Sequence, residues 1–319
     1  MRSTDCLVVY SGGSTGAPKK IIRPRQTWID SAITEATVFG IGPTDRFAVL
    51  GGQSHSLWSY AHFRADHLGS SCVGVQRVNR ANLRPLAEAR VTVIYGVPDL
   101  VAVMFRLCKR DSIQLPSVRT VLLGGGPVSP NFPTDHLQHI CPMASTHRFY
   151  GCAETSFIAH APLQGHYTPF PGVQVRIDDD QVIWVKSALT VSPSDWIATE
   201  DIGRWIDDHT FDVLGRKSRQ IQVKGQKHIV EPVERALIGA LALSHLALLQ
   251  DAQGKVHCVM ASDEYAPSLK QINQAIRAID SKFPLVRSAE ALPRSQWPLN
   301  PGGKTDWVAL TQRLQGKIS

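Results

Sequence analysis

Short apolar runs alternate with longer segments of helical periodicity along the first two thirds of the chain. The apolar runs are CLVVYS, RFAVLGG, CVGVQRV, VTVIYGV and VRTVLLGGG. The segments between them, among them QTWIDSAITEATVFG and PDLVAVMFRLCKR, carry apolar residues at helical spacing. Buried strands that alternate with helices are typical of βα units. The pattern therefore predicts an α/β fold whose large domain has a mostly parallel sheet.

The pattern changes from Gly172 onward. GVQVRIDDDQVIWVKSAL has two alternating strands around an Asp-rich turn, which predicts a short antiparallel hairpin region. FDVLGRKSRQIQVKGQKHIVEPVERALIGAL then has the pattern strand, turn, strand, turn and helix, which is typical of a small α+β C-terminal domain. We place the boundary at the turn between Gly215 and Arg216. Residues 1–215 then form the large domain and residues 216–319 the small one.

Composition and charge narrow the classes of partner. Hydrophobic residues make up 43% of the 319 positions, and no apolar run reaches the roughly 20 residues of a membrane helix. The six cysteines are scattered without a C-x-x-C pair, which favours a reducing cytoplasm over a disulfide scaffold or a zinc site. The net charge of +7 favours anionic partners, but no basic block or aromatic-basic cluster is present. We expect no nucleic-acid partner and no membrane span.

The loop after the first strand has the composition of an anion site. In VVYSGGSTGAPKK, residues 8–20, three glycines allow backbone amides to converge on a phosphate, and Ser, Thr and Lys side chains add donors. A Walker loop requires G-x-x-x-x-G-K-S/T, whereas here Lys19 follows Pro18 and no Ser or Thr follows it. The loop is therefore not a Walker loop, and it could also be a flexible turn.

The same loop contains GGSTG, which is a literal G-x-S-x-G with Ser14 at the nucleophile position. A nucleophile elbow needs a helix immediately after its serine. Gly16, Pro18 and Pro24 obstruct a helix there. A serine hydrolase that uses Ser14 is a remote alternative.

Five further segments follow in the order LGGGPV, FYGCAETS, TEDIGRW, GRKSRQIQVKGQKHIVEPVE and NPGGKTDW. The opening loop resembles S/T-x-G-S/T-T-G-x-P-K, and the whole set resembles the signature motifs of the adenylate-forming (AMP-binding) superfamily in the family's order. This superfamily includes acyl-CoA synthetases, aryl-acid ligases and the adenylation domains of peptide synthetases. The resemblance covers the chain from Ser11 to Lys304.

The resemblance implies an ATP site with Mg²⁺. The phosphate loop, the adenine wall and the ribose contacts would be supplied by Ser14, Thr15, Gly16, Lys19, Gly125, Gly126, Tyr150, Asp201 and Arg216. Glu154 would bind Mg²⁺, and Lys304 would bridge the attacking carboxylate and the α-phosphate. The implied catalytic residues are Lys304, Glu154 and Lys19. The implied reaction is ATP-dependent conversion of a carboxylic acid to acyl-AMP with release of pyrophosphate.

The resemblance also implies transfer of the acyl group to a thiol, either CoA or the phosphopantetheine arm of an acyl carrier protein. Gly225 would line the channel of that thiol, and the mobile C-terminal domain would reorient between the two steps. The acid would lie near residues 55–63, 95–101 and 124–127, which include His55, Trp58 and Gly124. A bulky indole at Trp58 would shorten the pocket, so we expect a small or aromatic acid.

The chain departs from the family pattern at several places, two of which bear most on the proposed reaction. Ala153 stands where the family has a threonine that contacts phosphate, and Thr155 is offset. Only about ten residues precede the loop, whereas full-size members carry a substantial region there. We therefore expect an N-terminally truncated large domain, for which three explanations compete: a naturally compact ligase, a homodimer or another partner that covers the exposed face, or a degenerate relative. The alternative to a ligase is a non-catalytic nucleotide-binding or scaffold relative.

Overall fold

The computed structural model describes residues 6–11, 19–53, 56–299 and 305–318. The helices are α1 (Arg25–Phe39), α2 (Ser56–Leu68), α3 (Arg80–Glu88), α4 (Pro98–Arg110), α5 (Thr134–Ile140), α6 (Val230–Ala240), α7 (Leu269–Ile279) and α8 (Trp307–Ile318). The strands of the first half are β1 (Cys6–Ser11), β2 (Lys19–Pro24), β3 (Arg46–Leu50), β4 (Ser71–Val75), β5 (Val93–Gly96), β6 (Thr120–Gly124), β7 (Ser145–Cys152), β8 (Ser156–Pro162) and β9 (Thr168–Pro169). Those of the second half are β10 (Gln174–Ile177), β11 (Val182–Lys186), β12 (Ile197–Trp205), β13 (Phe211–Arg216), β14 (Gln220–Val223), β15 (Gln226–Ile229), β16 (His245–Gln250), β17 (Val256–Ala261) and β18 (Val286–Leu292).

The central sheet has seven strands in the order β4-β3-β5-β6-β7-β8-β9. The first five strands are parallel, whereas β8 and β9 add antiparallel pairings at one edge. Because side chains alternate along a strand, Val49 faces the core shared with α1 and α2, and Ala48 faces the core shared with α3 and α4. The predicted α/β fold with a mostly parallel sheet is confirmed.

The opening strand has a different partner from the one that its sequence suggests. The sequence predicts a helix in QTWIDSAITEATVFG and no element between it and the loop, but the chain forms β2 there, which pairs antiparallel with β1 in a separate two-stranded sheet. The alternation in KKIIRP explains this strand, because Ile21 is buried and Ile22 is 58% exposed. Val8 and Tyr10 are also about half exposed on β1. That a partner or a second copy covers an apolar face stays a prediction.

The Asp-rich turn lies in a second, antiparallel sheet with the strand order β10-β11-β12-β13. This confirms the predicted hairpin region and extends it by two strands. Ile183 on β11 and Phe211 on β13 are fully buried, and they pack into the same core as Val49 and Trp28. The sheet is therefore joined to the α1 and α2 face of the large sheet.

The C-terminal part is an α+β unit, as the sequence predicts. Its three-stranded sheet β16-β17-β18 has Leu248 and Cys258 facing α6 and α7, and Ala247 and Val259 facing α8. The turn at Asn131 contacts this unit, since its Nδ2 donates to the carbonyl oxygens of Ile238 at 3.3 Å and Leu243 at 3.1 Å. None of the described helices combines the length and apolar character needed to cross a bilayer.

Candidate active site

The carboxyl ends of the parallel strands meet at one edge of the central sheet. β3 ends at Leu50, β5 at Gly96 and β6 at Gly124, and β7 leads into the turn that carries Glu154. Ligands of open α/β sheets bind at this edge. The segments that the sequence analysis assigns to adenine, acid and metal therefore lie at the edge where such a fold binds its ligand.

The turn that carries Glu154 has a constrained backbone. Gly151 has no space for a side chain, since a Cβ atom there would lie 1.9 Å from the carbonyl oxygen of Ser156. Ser156 has a φ of 59°, in the left-handed region that ordinary residues rarely adopt. Thr155 is fully buried, and its Oγ1 accepts a hydrogen bond from the amide of Cys152 at 3.2 Å. Thr155 therefore does not supply the hydroxyl that is missing at Ala153.

Lys19 and Glu154 form an ion pair across this edge. Lys19 Nζ lies 3.4 Å from Glu154 Oε1, and the two side chains are 70% and 27% exposed. Lys19 is the first residue of β2, directly after the Gly-rich loop, so the pair brings the end of the loop to the Glu154 turn. Ser14, Thr15 and Gly16, and also His55 and Lys304, lie outside the described residues.

Asp201 is the centre of a buried hydrogen-bonded cluster. It is 7% exposed on β12, and its cross-strand partner on β13 is Arg216. Arg216 Nε lies 2.8 Å from Oδ1, and the hydroxyl of Tyr150 donates to Oδ2 at 2.7 Å. Burial raises the pKa of Tyr150 well above its usual value, and the Asp201 charge raises it further. Tyr150 is therefore a protonated donor at neutral pH.

The ring of Tyr150 lies in an aromatic wall. Its centroid is 5.9 Å from that of Tyr167 and 6.3 Å from that of Phe211. The structure thus places the predicted adenine residue beside the predicted ribose residue Asp201. Stacking of this ring on adenine stays a prediction.

The three glycines after β6 differ in what surrounds them. A Cβ atom on Gly124 would lie 1.9 Å from Cζ of Phe149, so the Phe149 ring lies directly against the backbone. Gly125 has a φ of 81°, which favours glycine, and Gly126 has open space around its α-carbon. The backbone of Gly126 is therefore accessible to a flat ligand. The sequence analysis did not assign Phe149, although it immediately precedes Tyr150.

Trp58 packs against the edge of the sheet. A Cβ atom on Gly74 would lie 2.0 Å from the indole of Trp58, so the ring covers this glycine closely. Trp58 also lines a cavity of about 10 Å³ together with Leu50, Leu57 and Val97. A cavity of this size holds no more than about one water. The indole therefore fills most of the space at this predicted part of the acid pocket.

Gly225 lies in the turn between β14 and β15. It has a φ of 80° and follows Lys224 with a φ of 51°, so the turn has two consecutive residues in the left-handed region. This geometry is typical of a type I′ hairpin turn, which requires glycine or a similar residue. Space for a Cβ atom is open. The turn therefore explains this glycine independently of a thiol channel.

Glu154 fits the metal that the resemblance implies. No group of three or more His, Cys, Asp or Glu side chains that could hold a metal occurs among the described residues. Mg²⁺ is usually held by one or two carboxylates together with substrate phosphates, and not by an all-protein cage. A single accessible carboxylate beside a lysine matches that requirement.

Comparison with known proteins identifies the family. Residues 2–186 match the model of the AMP-binding enzyme family. An uncharacterised acyl-CoA ligase, YhfT, of Bacillus subtilis (strain 168) is 23% identical over 266 residues, which cover 75% of this chain and 54% of the relative. An L-proline–[L-prolyl-carrier protein] ligase of Streptomyces coelicolor is 23% identical over 351 residues, covering 95% of this chain and 65% of the relative. The chain thus spans about half to two thirds of the length of these relatives.

Solved structures show the same fold. The amide bond synthetase McbA from Marinactinospora thermotolerans superposes with a TM-score of 0.83 at 20% identity, over 99% of this chain and 70% of that one. The o-succinylbenzoate CoA synthetase from Bacillus subtilis, solved with ATP and a magnesium ion, gives a TM-score of 0.79 at 21% identity, over 94% and 68%. The family model covers more than half of the chain. The chain belongs to the AMP-binding enzyme family.

Proposed function

We propose that the protein activates a carboxylic acid with ATP and then transfers the acyl group to a thiol. The observation that carries the proposal is the Lys19–Glu154 pair at the end of the Gly-rich loop. A cation and an accessible carboxylate side by side suit a polyphosphate and its Mg²⁺. The buried Asp201 carboxylate supplies a separate acceptor for the hydroxyl groups of a ribose.

In the first step, a carboxylate oxygen of the acid attacks the α-phosphorus of ATP. The bond between the α-phosphorus and its bridging oxygen breaks, and pyrophosphate leaves. Lys19 and the loop would hold the outer phosphates, Glu154 would hold Mg²⁺, which neutralises phosphate charge when bound, and Lys304 would neutralise charge between the carboxylate and the α-phosphate. Such a step depends mainly on positioning and on charge stabilisation.

In the second step, a thiol sulfur attacks the acyl carbonyl carbon, and AMP leaves. The C-terminal domain reorients about the turn after Arg216, Lys304 leaves the site, and the Gly225 turn lines the channel of the thiol. The two relatives above are named for CoA and for a carrier protein, respectively. Both CoA and phosphopantetheine are therefore candidate acceptors.

The acid is small or aromatic. Trp58 and Phe149 both place aromatic rings against glycines at the predicted acid pocket, Gly74 and Gly124. Rings in these positions leave little room for a long alkyl chain. The relatives described above support carboxylic acids as the class of substrate.

We infer that the protein acts in a reducing compartment such as the cytoplasm. All six cysteines lie among the described residues as free thiols, and Cys108, Cys141 and Cys258 are buried. Burial raises the pKa of the Cys108 thiol to about 11 and that of Cys258 to about 12. These thiols are protonated and unreactive at neutral pH. The proposal also includes a homodimer, or another partner, that covers the exposed face of the large domain.

Carboxylate-dependent exchange of labelled pyrophosphate into ATP tests the function. Across a panel of small and aromatic acids, the wild type should catalyse exchange with at least one acid, and Lys304→Ala should abolish it. Ala153 favours a second candidate, a non-catalytic nucleotide-binding relative. That candidate predicts ATP binding without exchange. A hydrolase would cleave an activated ester without ATP and would lose that activity in Ser14→Ala.

A further inference from the structure

Arg23 is a buried cation beneath the Glu154 turn. It lies on β2, four residues after Lys19, and is 1% exposed. Its Nη1 donates to the carbonyl oxygen of Ala153 at 2.9 Å, and its Nη2 to that of Leu189 at 2.6 Å. Its Nε donates to Oγ1 of Thr27 at 2.9 Å. Every nitrogen of the guanidinium therefore has an acceptor.

All three of these acceptors are neutral. Among the described residues, no carboxylate lies within ion-pair distance of Arg23. Burial lowers the pKa of Arg23 to about 10, while the nearby Tyr60, Cys152 and Glu154 act in the opposite direction. The side chain is therefore still charged at neutral pH. A buried charge without a counter-charge is costly to the free protein, and an anion that arrives nearby reduces that cost.

Arg23 occupies an inward-facing strand position, where an apolar residue is usual. Val9 and Ile21 face inward on the same hairpin and are buried. An apolar residue at position 23 would leave the carbonyl oxygens of Ala153 and Leu189 without this donor in a buried place, which is unfavourable. A lysine could keep the charge but could not match the planar fork of donors. The guanidinium is therefore matched to these acceptors.

Two of the acceptors of Arg23, Ala153 and Leu189, lie in the segments next to Glu154. Ala153 directly precedes Glu154, and the carbonyl oxygen of Glu154 accepts from the amide of Val191 at 2.8 Å, two residues after Leu189. On the other side of the turn, Ser156 Oγ lies 2.7 Å from Ser31 Oγ of α1. Arg23 thus connects the strand after the Gly-rich loop with both segments around Glu154.

We propose that Arg23 is a positioning residue for the triphosphate end of the nucleotide site. It fixes the Glu154 turn relative to the end of the Gly-rich loop, and it adds a buried positive charge on the side where the β- and γ-phosphates and Mg²⁺ would lie. It takes over part of the role that Ala153 cannot perform without a hydroxyl. The inference rests on the ATP site of the proposed function.

The proposal predicts a selective loss of affinity. AMP has no β- or γ-phosphate, and it would depend on Asp201, Arg216 and Tyr150, which do not contact Arg23. Arg23→Met should weaken binding of Mg·ATP about tenfold or more, since hydrogen bonds and charge are lost together. Binding of AMP should change by less than about twofold. Arg23→Lys, which keeps the charge and loses the fork, should lie between the wild type and Arg23→Met.

Isothermal titration of Mg·ATP and of AMP into each full-length variant measures these affinities. The matched control is Arg25→Met, which removes an exposed arginine that lies over the ring of Phe63. It should leave both affinities unchanged. The Mg²⁺ concentration that half-saturates ATP binding should rise in Arg23→Met and stay the same in Arg25→Met. If Arg23→Met does not fold, the Mg·ATP and AMP affinities of Arg23→Lys are compared with those of the wild type instead, because a lysine fits the same space.

The outcomes separate this proposal from the proposed function. Equal losses of Mg·ATP and AMP affinity, or no loss of either, in folded Arg23 variants would overturn the role of Arg23 and leave the ATP site intact. A wild type that binds AMP but not Mg·ATP would overturn both. A selective loss for Mg·ATP that Arg23→Lys partly restores is the result that supports the proposal.

Discussion

At the scale of single residues, Asp201 is the candidate site residue whose carboxylate is buried and held by two partners. Its carboxylate is nearly buried and accepts from Tyr150 and Arg216, so its orientation is fixed before any ligand arrives. A preoriented acceptor loses little entropy when a ribose hydroxyl binds. The contact with Arg216 also joins β13 to β12, and the hydrogen bond from Tyr150 joins β7 to β12.

We expect Asp201→Asn to lower ATP affinity about tenfold to a hundredfold, because the neutral amide loses the charge and leaves Arg216 without its partner. Tyr150→Phe removes one neutral donor and should cost less, about a few-fold. Equilibrium binding of ATP measures both effects, and thermal unfolding reports whether each variant is folded. Equal effects of the two substitutions would contradict the assignment of Asp201 to the ribose.

Trp58 gives the second prediction for a single residue. Trp58→Gly removes the indole that covers Gly74 and enlarges a cavity of about 10 Å³. The variant should accept longer acyl chains than the wild type, measured as pyrophosphate exchange over a series of straight-chain acids. Trp184→Gly removes an indole on β11, away from that cavity, and should leave the preference unchanged. An unchanged chain-length profile in Trp58→Gly would show that the acid lies elsewhere.

Motifs in the sequence indicated the candidate site residues that would act through their own side chains. Lys19, Glu154, Tyr150 and Asp201 each lie in a short segment with a recognisable spacing. Arg23 could not be found in this way, because its partners are Ala153 and Leu189, far away in the sequence. Only the alternation of KKIIRP could have indicated that it faces inward with Ile21.

At the scale of elements, Asp45 connects three segments at the end of the sheet opposite the site. Its carboxylate accepts from the amide of Gly42 at 2.8 Å, from Oγ1 of Thr92 at 2.7 Å and from the guanidinium of Arg119 at 2.5 and 3.1 Å. It therefore connects the turn after α1 to the residues that immediately precede β5 and β6.

The hydrogen bonds of the Asp45 carboxylate predict that the free energy of unfolding depends on pH. Burial acts to raise the pKa of Asp45, but the hydrogen bonds from Arg119, Gly42 and Thr92 outweigh it and lower the pKa below 3.8. A carboxyl with a lowered pKa in the folded state stabilises it above the unfolded pKa and loses this contribution as the pH falls through the folded pKa. Asp45→Asn should thus lower the free energy of unfolding at pH 7 by about 1–3 kcal/mol, the size of a bond to a charged group.

The difference between wild type and Asp45→Asn should shrink as the pH falls through about 3.9, where half of the carboxyl groups are protonated in the unfolded state. Urea unfolding at a series of pH values measures it. Asp66→Asn, at an exposed position on α2, is the control and should differ little from the wild type at any pH. A difference for Asp45→Asn that is independent of pH would contradict this account.

Elements were predictable where periodicity was long and clear. The helices α1, α2 and α4 and the buried strands β3, β5 and β6 follow the pattern of the sequence. β2 was missed because its six residues include two adjacent lysines and a proline, which resemble a loop. Its pairing with β1 depends on a tertiary contact that no local pattern shows.

At the scale of the whole molecule, the described hydrophobic clusters lie on either side of Arg216. The clusters that contain the central sheet include residues as far along the chain as Val213, and the clusters of the C-terminal unit include residues from Ile221 onward. The hydrogen bonds of Asn131 to Ile238 and Leu243 are polar contacts between the two parts. Such contacts can break without exposing either core, which supports the proposed reorientation and the predicted boundary.

If the C-terminal domain reorients between the two steps, a substitution at Gly225 should affect the transfer of the acyl group to the thiol and not the formation of the acyl adenylate. Gly225→Leu should leave pyrophosphate exchange unchanged and should slow transfer from a preformed acyl adenylate to the thiol about tenfold or more, because the side chain would obstruct the channel. Its φ of 80° also strains any leucine there. Gly254→Leu, with a φ of 78° in another turn of the same unit, is the matched control for that strain.

If Gly225→Leu and Gly254→Leu slow both half-reactions equally, strain alone explains the effect. If Gly225→Leu leaves the transfer step unchanged, the thiol passes elsewhere. Single-turnover assays of the two half-reactions distinguish these results from the predicted loss in transfer alone.

The central claim is that a carboxylate oxygen attacks the α-phosphorus of ATP, and an isotope experiment tests it most directly. An acid that supports pyrophosphate exchange is labelled with ¹⁸O at both carboxylate oxygens and turned over with ATP and a thiol. The AMP is then analysed by mass spectrometry. The account predicts AMP that carries one ¹⁸O atom from the acid, together with pyrophosphate. Unlabelled AMP, or ADP as the nucleotide product, would contradict it.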